Sequence, residues 1–352
     1  MVNSTHSSIV INTNATASAF GWDFQSNAAI LLALKHIKDL ESIKVEGNID
    51  DIELYLKDSK RIFAQAKSQE DPTPSTNTLS KLNDSLKTLI NATNKSDYEE
   101  IIYISNIMNP LKNKGLDYYW GQHFTIYSYT ELNDHARKII DKYIVSVIKN
   151  HQLDISNLDY NKLKICAFPF FGNDYETRYR IVYEAVKKFL VNAKISAPDG
   201  VAQDVMDYWQ SIFFQNSATR IVQLQKEELI WPVVVIESSK SYYSDFFDDY
   251  DLGEIDEIDR KYNAFINKKT EQFEFITQVI NDFNEFRNSN RKLNGKQAFE
   301  NFVETKWLIY DSLIINELVE PEIKEGVAKL VIIKILKNRY TINSVKEAAG
   351  LL

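Results

Sequence analysis

The stretch from Val45 to Lys67 constrains this chain more than any other. Val45-Glu46-Gly47-Asn48-Ile49-Asp50-Asp51-Ile52-Glu53-Leu54-Tyr55 leads through a polar turn, Lys57-Asp58-Ser59-Lys60, into Phe63-Ala64-Gln65-Ala66-Lys67. Side chains on a strand alternate between two faces. Ile52, Leu54 and Leu56 share one face of the first strand, and Ile62, Ala64 and Ala66 one face of the second. Matching these apolar sets across an antiparallel pair requires an odd loop or a bulge, and three-residue loops are common. That register brings Asp51, Gln65 and Lys67 together on the opposite face, beside Glu53. Asp50 falls on the other side unless a bulge turns it. In the preceding segment Ile43 and Val45 alternate with Lys44 and Glu46, which places Glu46 on the polar side.

These residue types suit metal-assisted phosphodiester hydrolysis. The reaction needs a cation on the non-bridging oxygens and a water in line with the leaving group. Mg²⁺ takes oxygen ligands and keeps several waters, so one or two carboxylates suffice. Asp51 is the expected ligand, with Glu46 a second one directly or through water, and Gln65 supplies a neutral amide oxygen where an acid is usual. Lys67 would hold the attacking water and offset charge on the phosphate. A charged hairpin of this kind is also common as a solvated surface, so the flanking pattern matters. An amphipathic helix is expected from Ala17 to Leu40, and a second from Leu79 to Ala92. Strands are expected at Ile101–Ser105 and Phe124–Ser128, and a helix from Leu132 to Lys149.

This order of elements is that of the minimal core of PD-(D/E)xK nucleases. Gly21-Trp22-x-Phe24-Gln25, Val45-Glu46, Asp50-Asp51-Ile52 and Gln65-Ala66-Lys67 resemble the N-terminal double-stranded DNA nuclease domain of bacterial anti-phage effectors. That domain occurs in cyclic-oligonucleotide (CBASS) defence and in partners of HerA-type ATPases, and its Gln-x-Lys variant resembles Mrr-type restriction endonucleases. The resemblance covers residues 15–130 or so. It implies a metal-ligand role for Asp51, the Gln-x-Lys roles for Gln65 and Lys67, an accessory acidic role for Glu46, and Mg²⁺ or Mn²⁺ as cofactor. Gln25 matches a family position of structural character; Asp50, Glu53 and Gln25 are secondary site candidates.

The expected architecture is an α/β, restriction-endonuclease-like core over residues 1–150, followed by a mainly α-helical regulatory or oligomerisation domain over 151–352. In the second half, Leu163–Phe168 reads as a strand, Tyr175–Asn192 and Val201–Phe214 as helices, and Trp231–Ile236 as a possible strand. Long helices follow over Glu254–Arg287, Gly295–Leu318 and Glu322–Asn338. Phe273, Phe275, Ile276, Val279, Ile280 and Phe283 read as core or as an interface stripe.

Charge sets a condition on DNA binding. Net charge is −8 for the chain, split as −2 over residues 1–150 and −6 over 151–352. A near-neutral nuclease half gains little from counterion release, so Lys57, Lys60, Arg61, Lys81, Lys87, Lys112 and Lys114 are the candidates to line a groove. A homo-oligomer, or a partner such as a HerA-type ATPase, is expected to supply the rest. The helical second half lacks the strand-helix alternation expected of a cyclic-oligonucleotide sensor, which favours control by a protein partner. Asn290–Lys296 lacks the first glycine and the Ser/Thr of a P-loop, and the five histidines have no HNH or zinc-protease spacing. Cys166 is the one cysteine, so no internal disulfide forms. No membrane-length apolar run and no signal peptide is seen, which points to the cytoplasm. The competing expectation is a non-catalytic assembly or DNA-binding subunit of a defence ATPase complex that keeps the nuclease fold.

Overall fold

The computed structural model describes residues 16–73, 79–111, 123–195, 198–219, 222–239, 244–248, 250–266, 271–315 and 319–352. Lys112 and Lys114 lie outside the described residues. The chain divides into two compact units. One comprises the described residues of Met1–Leu32, Lys44–Ile181 and Phe213–Val222, the other Ala33–Ile43, Val182–Ile212 and Gln223–Leu352. The boundary expected at residue 150 therefore falls within the first unit, because a strand beyond it completes the sheet.

The elements of the first part of the chain are α1 (Thr16–Lys35), β1 (Leu40–Val45), β2 (Ile52–Leu56), β3 (Arg61–Lys67), α2 (Leu79–Thr93), β4 (Glu100–Ser105), β5 (Thr125–Ser128), α3 (Asp134–His151) and β6 (Leu163–Ala167). In the first unit the strands lie in the order β5-β6-β4-β3-β2. β2 and β3 are antiparallel, β3, β4 and β6 run parallel, and β5 is antiparallel to β6. The expected sequence of helix, three strands, helix and strand is present. The first helix ends at Lys35, short of the expected Leu40, because the amides of Asp39 and Leu40 both turn back to the His36 carbonyl.

The β2–β3 register is Ile52↔Ala64 and Leu54↔Ile62; the Leu56 amide donates to the Lys60 carbonyl at 2.9 Å and so closes a loop of three residues, Lys57–Ser59, of which Asp58 and Ser59 take left-handed φ of 60° and 59°. The odd loop called for by the apolar alternation is what joins the strands. The sheet is covered on both faces here. Phe63, Ile101, Tyr103, Leu163 and Ile165 pack with Leu82, Leu86 and Ile90 of α2 and Ile140 and Ile144 of α3. Central parallel strands buried this way read as continuous apolar runs, as in Ile101-Ile102-Tyr103-Ile104. Phe24 of α1 stacks on Phe168 just after β6, with ring centres 5.3 Å apart.

The remaining elements are α4 (Tyr175–Asn192), α5 (Pro198–Ser217), β7 (Leu224–Gln225), α6 (Lys226–Ser239), α7 (Leu252–Ile266), α8 (Glu271–Ser289), α9 (Gly295–Ile314) and α10 (Pro321–Ala348). The second unit is mainly helical. A short antiparallel pairing joins Ser42 and Ile43 of β1 to Gln225 and Leu224 of β7. α10 is its spine, burying Val327, Leu330, Val331, Ile332, Ile335 and Leu336 against α6, α7, α8 and α9. Gly326 is required there: a Cβ would come within 2.5 Å of Ile258 Cδ1.

Trp231–Ile236 is helical within α6, not a strand. Its β-branched run favours extended backbone, but burial of Ile230, Trp231, Val233 and Val234 outweighs local preference, and the Trp209 indole N–H occupies the Leu229 carbonyl at 2.8 Å. The expected long helix over Glu254–Arg287 is two helices, α7 and α8. Phe273, Phe275, Ile276, Val279, Ile280 and Phe283 are buried, so they are core and not an exposed stripe. Among the described residues no helix is long and apolar enough to cross a membrane.

Candidate functional site

The start of β2 and the end of β3 meet at one edge of the first unit. Continuing the β2–β3 register one step past Ile52↔Ala64 sets position 51 opposite position 65. β3 runs beyond the start of β2, which leaves the Ala66 amide without a strand partner on that side. Asp51 Oδ2 accepts it at 3.1 Å and also accepts from Lys67 Nζ at 3.1 Å. This ion pair is partly sheltered, with side-chain exposures of 33% for Lys67 and 17% for Asp51. Gln65 lies on the Lys67 face by alternation and is buried.

Three more carboxylates crowd the turn between β1 and β2. The turn closes through Glu46 N–H to the Asp51 carbonyl, 2.7 Å, and Gly47 N–H to the Asp50 carbonyl, 3.0 Å. Glu46 sits at φ 52°, and its carboxyl is hydrogen-bonded to Gln25 of α1. Loss of water, then the charge of Asp51, raises its pKa. Asp50 is 5% exposed; Oδ1 accepts the Asp51 amide at 3.0 Å and Oδ2 has no hydrogen-bond partner. Burial first, then Asp51, push its pKa from 3.8 up to about 8. The amide oxygen of Gln25 is likewise buried without a partner.

Glu53 is placed differently from the expectation of a site acid. It is 1% exposed, and both its oxygens are engaged within the fold. Oε1 accepts the amides of Ile49 (2.6 Å) and Asp50 (3.3 Å), and Oε2 accepts the Tyr55 hydroxyl at 2.8 Å. It holds the turn that carries the other acids. Gly47 makes room for it: a Cβ there would lie 2.2 Å from Glu53 Oε1.

Two further residues shape the site. Lys81 of α2 donates to the Ser68 carbonyl and to Gln69 Oε1 (3.3 Å), just past Lys67. Burial, then the charge of Lys67, lowers its pKa, so the two cations share one neighbourhood. Asn106, 1% exposed, grips the backbone of Gln69 through both N–H (2.9 Å) and carbonyl (2.7 Å). Sequence marked Lys81 only as a basic residue, and nothing in the local pattern marks Asn106. Lys57, Lys60 and Arg61 lie at the far end of β2 from Asp51, on the order of 15 Å away at ~3.3 Å per residue. Lys60 pairs with Glu99 at 3.1 Å, and Arg61 stacks over Tyr55.

The chain is weakly similar to solved bacterial receptors. A Moraxella osloensis Cap4 SAVED/CARF-domain containing receptor aligns at 13% identity with TM-score 0.38, over 62% of this chain and 48% of that one. An Acinetobacter baumannii Cap4 SAVED/CARF-domain containing receptor, solved with the cyclic trinucleotide 2′3′3′-cAAA, aligns at 12% identity and TM-score 0.38, over 76% of this chain and 59% of that one. This chain thus spans about half to three fifths of the length of those proteins. No family model and no curated protein matches the sequence.

Among the described residues, no group of three or more His, Cys, Asp or Glu side chains is close enough to hold a metal ion by itself. Mg²⁺ does not need such a cage, since it retains several waters. Asp51, Glu46 and the unpartnered oxygens of Asp50 and Gln25 are all hard oxygen donors, and burial first, then the charge of Asp51, raises the pKa of both Glu46 and Asp50. In chemistry, the residues fit.

Proposed function

We propose that this protein is a metal-dependent DNA endonuclease that acts in bacterial anti-phage defence. The observation that carries the reading is the Lys67–Asp51 pair at 3.1 Å, seated on the Ala66 amide and flanked by Glu46, Asp50 and Gln25. The element order of the first unit supports it, and the defence setting rests on the motif resemblance. Asp51 and Glu46 would hold Mg²⁺ or Mn²⁺, with the Gln65 amide or the Asp50 oxygen beside them. A bound cation would supply charge neutralisation on the phosphate and a more acidic water.

This chain's own residues then have defined tasks. Lys67 releases Asp51 and points its ammonium at the attacking water and the phosphate oxygens. The water oxygen bonds to phosphorus and gives up a proton to solvent as the bond to the leaving oxygen breaks, and the leaving oxygen takes a proton from solvent. Asn106 and Lys81 fix the Ser68-Gln69 backbone so that Lys67 is held at the strand end. Association with a second copy or with an ATPase is part of the same proposal. It is supported by Leu308, Ile309 and Leu313 of α9, which stand 54–63% exposed.

The alternative reading is a non-catalytic assembly or DNA-binding subunit that keeps this fold. Plasmid cleavage in Mg²⁺ or Mn²⁺, with and without the product of a neighbouring ATPase gene, decides between them. Cleavage by the wild type that is lost in Asp51→Ala and Lys67→Ala supports the nuclease. No cleavage under any of these conditions, or cleavage unchanged in both variants, refutes it.

A further inference from the structure

Trp22 and Phe214 leave 50% and 53% of their surface in solvent. Both line one open cleft of about 570 Å³ within the first unit, and Glu46, Asn48 and Ser217 line it with them. Single exposed aromatics are ordinary. Two in one cleft whose wall includes a carboxylate of the candidate site are not.

The cleft is fastened to the site from both sides. On α1, Trp22 is flanked by Gly21, where a Cβ would stand 4.0 Å from Ser68 Oγ, and lies three residues before Gln25, which binds Glu46. On α5, Phe214 lies two residues before Asn216. Asn216 is 4% exposed, accepts the Val45 amide at 2.8 Å and takes the buried Lys44 ammonium on its carbonyl. Its amide donates to the Val222 carbonyl at 2.7 Å. Both aromatics therefore stand on backbone tied to the strands that carry the acids.

We infer that this cleft receives an unpaired nucleobase of a DNA strand, stacked on Trp22 and Phe214, next to the phosphate held at Asp51 and Lys67. The inference rests on the nuclease reading and deepens it, since it names a single-stranded or locally opened DNA segment as the substrate. Aromatic faces bind bases of any sequence because every base has a π-face. A base paired within a duplex has both faces covered by its neighbours, so only an unpaired one fits. Asn48 at the rim offers a donor and an acceptor to a base edge. Glu46 repels phosphate but not a neutral base, which orients the base, and not the backbone, into the cleft.

The test uses the full chain without divalent cation, with fluorescein-labelled single-stranded DNA and the matching blunt duplex, read by anisotropy across salt concentrations. Trp22→Ala and Phe214→Ala should each weaken single-strand binding by roughly 5- to 150-fold, the equivalent of ~1–3 kcal/mol per stacked base. The salt slope should not change, because no phosphate contact is removed. Trp22→Phe should recover most of the affinity. If both alanine variants bind like the wild type, if Trp22→Phe is as weak as Trp22→Ala, or if the wild type binds only duplex, the inference falls. Should one alanine variant fail to fold, the other carries the test. Plasmid cleavage measured alongside separates the two ideas. Cleavage by the wild type with normal binding in both variants sinks the cleft and leaves the nuclease. Aromatic-dependent binding with no cleavage sinks the nuclease and leaves the cleft.

Discussion

Replacing Asp50 by Asn should stabilise the metal-free protein at neutral pH. Asp50 is 5% exposed, one of its oxygens has no partner, and its pKa is pushed up to about 8 from 3.8. In the unfolded chain the carboxyl is charged at pH 7; in the fold it keeps its proton. A raised folded pKa makes stability complete below about pH 4 and lost as pH rises through about 8. Each unit of that interval costs ~1.4 kcal/mol, so the penalty reaches ~4 kcal/mol at pH 7. Asn does not titrate and keeps the acceptor that takes the Asp51 amide at 3.0 Å. The assay is urea unfolding of both proteins in chelator, from about pH 5 to about pH 9. The two stabilities should already differ by ~1.6 kcal/mol at pH 5, separate by a further ~1.4 kcal/mol per pH unit, and run parallel above about pH 8. Added Mn²⁺ should narrow the gap, since a cation beside the unpartnered oxygen favours the ionised form. Curves that stay parallel over the whole range would show that Asp50 ionises at an ordinary pH, and the argument would fail.

Lys67→Ala should cut any cleavage rate by about 10²–10³-fold while changing stability by ~1 kcal/mol or less, because its ion pair is partly solvated; single-turnover cleavage and urea unfolding read the two effects. Gly47→Ala should destabilise the fold by about 1–3 kcal/mol, since its Cβ would lie 2.2 Å from a Glu53 oxygen that is itself tied down; a midpoint equal to wild type would show that Glu53 moves freely. Glu53→Ala should cost about 3 kcal/mol by leaving the Ile49 and Asp50 amides and the Tyr55 hydroxyl without their acceptor, measured by the shift in the unfolding midpoint.

The hairpin was legible because period-two alternation sets register directly. Ile52, Leu54, Ile62 and Ala64 share a face in the sequence pattern, and the pairs Ile52↔Ala64 and Leu54↔Ile62 are those observed. The same pattern could not separate Glu53 from Asp51, since both lie on the other face. What separates them is reach: Glu53 finds two amides in the turn before it, whereas Asp51 finds the end of the neighbouring strand. The division into compact units is not legible in the sequence for a related reason. β6 joins β4 through Ile101↔Leu163 and Ile104↔Cys166, pairings some sixty residues apart that no local signal announces. In α6, tertiary burial decided the backbone against a run of β-branched residues.

Four carboxylates lie between residues 46 and 53, and the fold gives each a different physical condition. Glu53 is consumed by hydrogen bonds and holds the turn. Asp50 is deprived of water, and burial first, then the charge of Asp51, pushes its pKa up to about 8. Asp51 is held by a lysine and a backbone amide. Glu46 is turned toward Gln25 by a left-handed φ of 52°, a conformation that costs a non-glycine residue about 1–2 kcal/mol. That strain persists because the flanking bonds fix it: Glu46 and Gly47 both donate back to the residues at the start of β2, while Glu53 fastens the amides between them. Without Glu53, the turn would lose the acceptor that determines its shape, and Glu46 would relax away from Asp51. The acid with no free oxygen is therefore the one on which the placement of the others depends.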